Sequence, residues 1–211
     1  VGSNDRWHIL RHTSDDNPYD STDYDRLTGQ DKNFPAITDY IEARRELPRG
    51  VSAVLPAADH PYDRQAARQY MLAYVGKRSD AFMAYDEVGG NCMNFGSQVL
   101  LAGWYWHSKS KASLPWVNVG WFLEYAATPR PHGLVAVVNA PYFSGETGDI
   151  ITMGVQEPAN HTTVIQDVVR DGDGAVVDYL LCSNTADLRN FPASAYYYTN
   201  RQLTKIVGWN D

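Results

Sequence analysis

The 211-residue chain carries 18 Lys and Arg against 25 Asp and Glu, and this net charge of −7 argues against nucleic acid and anionic membrane as partners. Its 44% apolar and 20% charged residues suit one globular domain with an extension, and no 18-residue apolar run is present to span a membrane. The 14 Tyr and 6 Trp offer large contact area with polar handles, which suits a wide cleft for peptide or sugar.

Residues 1–35 are polar and acidic, with Asp15, Asp16, Asp20, Asp23 and Asp25 in no calcium-loop spacing, and read as a solvated, irregular segment. His8 and His12 share a helical spacing but lack a third ligand, so no metal or other cofactor is expected. The start at Val1-Gly2-Ser3 reads as a processed end or a cloning remnant, in keeping with a secreted or cell-surface protein. Ala36 to Leu47 predicts a short amphipathic helix stopped by Pro48 and Gly50, followed by a proline-bearing linker to Pro61. The expected division is an N-terminal extension over 1–59 and a domain over 60–211.

Tyr62 to Val75 predicts a helix with Ala66, Tyr70, Ala73 and Tyr74 on its apolar face. Gly89-Gly90-Asn91-Cys92 then leads into a largely apolar run closed by Gly103, the pattern of a loop, a helix start and a buried helix. Asn91 is placed to cap that helix. Cys92 falls in its first turn, where free N–H groups and the positive end of the dipole favour thiolate over thiol. An aromatic stretch opens at Trp104, and Trp116 to Tyr125 predicts an Asn-capped helix packing on the first. Beyond Pro129 and Pro131 the β-branched and tyrosine content rises, and residues from 148 onward predict strands. Helices first and strands second give an α+β class.

Asn160 to Val169 and Ala175 to Ser183 predict two strands joined by the turn Arg170-Asp171-Gly172-Asp173-Gly174. An evenly centred hairpin, with Arg170 opposite Ala175, sets His161 across from Asn184 with Cβ atoms about 5 Å apart. The same register sets Thr163 opposite Cys182, a small core residue beneath the site. A bulge would shift the register. Cysteine, histidine and asparagine in this order match three roles: a thiolate nucleophile, an imidazole that moves the proton, and a group that holds the ring. Both Cys92 and Cys182 are expected free, because a bridge between them would remove the nucleophile.

Several segments together resemble the putative amidase domain family of the NlpC/P60-like, papain-like cysteine hydrolases. They are Tyr62-Asp63-Arg64-Gln65-Ala66-Ala67, the run from Gly89 to Phe95 with Ser97-Gln98, and Trp116-Val117-Asn118-Val119 with Phe122. Gly148-Asp149-Ile150-Ile151 and Asn184-Thr185 with Asp187-Leu188-Arg189 complete the set. The resemblance covers about residues 62–200. It implies a papain-like fold, with a central Cys-bearing helix packed on an antiparallel sheet. By the same resemblance Cys92 is the nucleophile, His161 the base and Asn184 the orienting group. Two positions depart from the family: it usually has an acid where Asn91 stands and commonly a histidine where Asn184 stands.

The backbone N–H of Cys92 is the expected oxyanion donor, with Tyr85, Asn91, Gln98, Trp104 and Trp121 as candidate substrate-binding or oxyanion residues. The implied substrate is a peptide or amide of the cell envelope, such as peptidoglycan. The glycosylation sequon Asn160-His161-Thr162 argues for a bacterial source, since a glycan there would obstruct the cleft. Two rival readings remain: a binding module that keeps the cleft without turnover, and an acyltransferase that keeps the thiolate. Nothing in the sequence sets an oligomeric state.

Overall fold

The computed structural model describes residues 55–86, 90–103, 113–154, 159–196, 198 and 200–211, together with a short antiparallel pairing of Gly2–Ser3 with Arg6–Trp7. His8, His12 and the helix expected over 36–47 lie outside the described residues. No helix among the described residues is long and apolar enough to cross a membrane.

Helix α1 spans Arg64–Tyr74 and starts where the Asp63 carboxylate accepts the Ala66 N–H at 2.9 Å. Ala67 and Met71 are its buried residues, while the stacked Tyr70 and Tyr74 pack on the core from its flank. The buried face is thus turned one residue from the expected stripe. Helix α2, Cys92–Gly103, is buried along nearly its whole length, which fits its apolar composition. It stops at Gly103, where a Cβ would lie 2.2 Å from Tyr62 Cε2 and 2.8 Å from the Asp63 carbonyl oxygen. The Gly103 carbonyl accepts the Asp63 N–H at 3.0 Å, so the end of α2 is tied to the start of α1.

The segment around Trp116 forms two helices, α3 (Leu114–Val117) and α4 (Val119–Ala127). Asn118 between them is extended, and its side chain caps α4 by accepting the Trp121 N–H at 3.1 Å. A short strand β1, His60–Pro61, precedes the helices. Six more follow them: β2 (Gly133–Ala140), β3 (Ile150–Gly154), β4 (His161–Arg170), β5 (Val176–Ser183), β6 (Leu188–Pro192) and β7 (Asn200–Asn210). The strand-rich half therefore begins at Gly133, earlier than the sequence indicates.

Every pairing among the described residues is antiparallel, in the order β2-β7-β3-β4-β5-β6, with β1 alongside β7 beyond the end of β3. Mixed helix and antiparallel sheet make the fold α+β. One core cluster joins the helices to the sheet through Met71, Phe95, Val99, Phe122, Ile150 and Val164. A second gathers Ile151, Met153, Ile165, Leu181 and Leu203. Ile150 and Ile151, like Val164 and Ile165, are consecutive residues sent to the two faces by the pleat.

Candidate active site

Cys92 opens α2 and is 8% exposed, lying in the helix–sheet cluster with Val164 and Cys182. Asn91 precedes it at the capping position, its carbonyl accepting the Phe95 N–H at 2.9 Å. The Asn91 side chain does something other than cap. Its Oδ1 accepts the Tyr85 N–H at 3.2 Å and Asn94 Nδ2 at 2.7 Å. Asn94 in turn donates to the Met83 carbonyl and accepts from Trp116 Nε1 at 2.7 Å, so the loop before Cys92 is held by a chain of buried amides. Gln98, two turns into α2, accepts from the Tyr70 hydroxyl at 2.7 Å.

The first two turns of α2 lie directly on β4. The Thr162 hydroxyl donates to Met93 Sδ at 3.5 Å, and a Cβ on Gly96 would lie 3.3 Å from Thr162 Cγ2. The residue after Cys92 therefore touches the residue after His161. The side chains of the expected nucleophile and base, Cys92 and His161, do not meet in the same way. His161 opens β4 opposite Met153, which itself pairs with Arg201 of β7. Strand alternation sets these three on the face opposite the one that Thr162 presents to α2. There the His161 ring lies 5.7 Å from both Tyr196 and Tyr198, and no hydrogen bond joins it to another described residue. Burial alone pushes its pKa down to about 4, so the imidazole is neutral at neutral pH.

Asn184 departs from its expected position. The β4–β5 ladder pairs Val164 with Cys182, one residue off the even hairpin, because register shifts fall at Ile165/Asp167 and Val169/Arg170. Pairing with β5 ends there, short of both His161 and Asn184. The Asn184 amide is spent on the end of α1. It donates to the carbonyls of Tyr74 at 3.2 Å and Lys77 at 3.0 Å, and accepts the Gly76 N–H at 3.2 Å. In this structure the Asn184 amide closes the C-terminal end of α1, where orphaned carbonyls need donors, and makes no hydrogen bond with His161.

Three of the expected residues do come together. Asn91, Gln98 and Asn184 line one small, tight hollow with Arg78, Ser79 and Met83 among its other walls. Tyr85 adjoins it through its backbone, which binds Asn91 and accepts the Gly90 N–H at 3.1 Å. Trp121 stands 48% exposed on α4, and Trp104 lies outside the described residues. Both cysteines are free. Cys182 is a core residue whose thiol donates to Gln166 Oε1 at 3.0 Å, with burial pushing its pKa up to about 12.

The aromatic setting of His161 has no counterpart in the sequence pattern. Tyr196 is 3% exposed and stacks on Tyr198, with Phe191 edge-on. Burial first, then the neighbouring Tyr198, Cys182 and Cys92, keeps the Tyr196 phenol protonated well above its ordinary range. The buried Arg201 guanidinium donates from Nε to the Tyr198 carbonyl at 2.8 Å and from Nη2 to the Tyr196 carbonyl. A high tyrosine count was the only local signal for this group.

Residues 61–207 match the family model described as a putative amidase domain. No curated protein and no solved structure matches the chain.

Proposed function

The chain belongs to the putative amidase domain family, a family of hydrolases acting at the general level on amide bonds, and from that membership we propose that it cleaves its amide with Cys92 as nucleophile. The observation that carries this reading is the position of Cys92: first residue of a buried helix, inside the matched span, directly after the buried Asn91. Cys92 Sγ attacks the carbonyl carbon and its proton passes through His161 to the leaving nitrogen. The C–N bond breaks and a thioester remains. Water, giving its proton to the same imidazole, then releases the acid and restores the thiol. The backbone N–H of Cys92 stabilises the oxyanion in both steps.

A neutral imidazole is the form that can accept a proton, which the burial of His161 supplies at neutral pH. To reach the thiol, the ring turns from the tyrosine side of β4 to the α2 side. The papain-like arrangement and a peptide or peptidoglycan-like substrate outside a bacterial cell complete the proposal.

The binding-module reading draws on the missing hydrogen bond between Asn184 and His161. Turnover of a panel of peptide anilides and peptidoglycan fragments separates the two. The hydrolase reading predicts measurable release by the wild type, a loss of at least about a thousandfold in Cys92→Ala and a large loss in His161→Ala. No turnover by the wild type across the panel, or equal turnover in Cys92→Ala, contradicts it.

A further inference from the structure

The hydroxyl of Tyr196 is buried without a hydrogen-bond partner among the described residues. Its side chain is packed between the His161 ring, 5.7 Å away, and the edge-on Phe191. Arg201 fixes the backbone at this point by donating to the Tyr196 carbonyl. A hydroxyl shut away from water with neither its proton nor its lone pairs engaged is costly, and a phenylalanine would fill the same space without that cost. Ser183 lies close enough to ease ionisation of the phenol slightly, but the two hydroxyls do not take up hydrogen-bond geometry.

The surroundings of the hydroxyl point to its partner. Cys182 and Cys92 both lie near enough to act on it electrostatically, and the two thiols share one core cluster. The loop before Cys92 closes on the same strand end, since a Cβ on Gly90 would lie 3.6 Å from Thr185 Oγ1, two residues beyond Ser183. Cys182 is engaged, its thiol donating to Gln166 Oε1 and kept protonated by burial. Cys92 is the other, and a thiolate so nearly out of water needs a donor. We propose that Tyr196 is a further catalytic residue: its hydroxyl donates to Cys92 Sγ once the thiol has passed its proton to His161, and so stabilises the sulfur that attacks the amide. The use made of that thiolate rests on the hydrolase reading; the contact itself does not. A neutral thiol is a weak acceptor and a thiolate a strong one, so the bond forms when it is needed. Burial above all keeps the phenol protonated well above its ordinary range, so it is still a donor when the thiol ionises. Tyr196 thereby supplies beside the base a polar group that Asn184, held at the end of α1, does not.

The test removes that one oxygen. Iodoacetamide labelling of Cys92 is followed from about pH 5 to about pH 10 in the wild type and in Tyr196→Phe, with the labelled site read by peptide mass and urea unfolding run on both. His161 changes charge at about 4 and Cys182 at about 12, so neither titrates inside this window. Tyr74 of α1, Arg189 of β6, Tyr198 and Arg201 of β7 stand around the pair from the other elements and are the same in both proteins. A difference between the two therefore reads the hydroxyl. Loss of the donor disfavours the charged sulfur, so the labelling midpoint should rise by about one to two pH units in Tyr196→Phe. Stability should stay at or above that of the wild type, because the hydroxyl removed has no partner in the resting protein. An unmoved midpoint would overturn the proposal. A marked loss of stability would do so too, since it would make the hydroxyl a structural group bonded to Ser183. Labelling needs no turnover, so a raised midpoint in a protein that cleaves no amide would sink the hydrolase reading and leave the Tyr196 contact standing.

Discussion

His161 is a buried, uncharged imidazole between two tyrosine rings, and its pKa makes folding sensitive to acid. The folded value of about 4 lies below the ordinary 6.5, so the unfolded chain binds more protons between those two pH values. Stability from this group is fully present above pH 6.5 and is lost as the pH falls toward 4, by up to about 3 kcal/mol. Urea unfolding at pH 7 and pH 4.5 should show this loss in the wild type and a flatter profile in His161→Phe. Asn184 gives a second residue-scale prediction. Asn184→Ala removes three hydrogen bonds at the end of α1 and should cost about 1–3 kcal/mol of stability. Iodoacetamide labelling of Cys92 in the folded variant should stay at the wild-type rate; a large drop would return Asn184 to the catalytic group. The position of Cys92 was legible because a glycine pair, an asparagine and an apolar run are local signals. Asn184 was not, because its role depends on hairpin bulges and on a helix more than a hundred residues away.

At the scale of elements, glycines mark where helices and strands approach most closely. Gly103 was readable as a helix stop, but the reason for it is the Tyr62 ring and the Asp63 carbonyl against which α2 ends. Gly103→Ala should lower stability by about 1–3 kcal/mol in a denaturant melt, since the ring has to move and the carbonyl is backbone. Gly208 of β7 is tighter still, with a Cβ falling 1.9 Å from the His60 carbonyl oxygen, so that Gly208→Ala should detach β1 from the sheet. Loss of amide protection at His60 and Tyr62 in hydrogen exchange would report it. Asn118 was recognisable as a cap because its hydrogen bond stays within three residues. The pairing of β1 with a strand some 150 residues on left no trace in the sequence, as long-range register leaves none.

At the scale of the molecule, ion pairs bind the helical half to the sheet. Arg64 of α1 donates at 2.8 Å to Asp149, a fully buried carboxylate that also accepts the backbone N–H groups of Glu146 and Ile206. Burial raises the Asp149 pKa, against the pull of Arg64 and those amides. Arg68 reaches Asp167 of β4 at 3.0 Å. Arg64 lies in the Tyr62–Ala67 segment that carried the family resemblance, and Arg68 directly follows it. Arg64→Met should destabilise the fold by about 3–5 kcal/mol by stranding Asp149, and adding Asp149→Asn should recover part of that loss.

These ties hold α1, whose start is bonded to the end of α2, against the sheet that carries His161, and the central claim is that Cys92 becomes acylated during amide cleavage. The most direct measurement is to mix wild-type protein with a cleavable peptide amide, quench in acid within the first turnover and read the intact mass. The predicted result is an added acyl mass that digestion maps to Cys92 and that is absent in Cys92→Ala. Cleavage that proceeds with no acyl mass on Cys92, or at the same rate in Cys92→Ala, would contradict it.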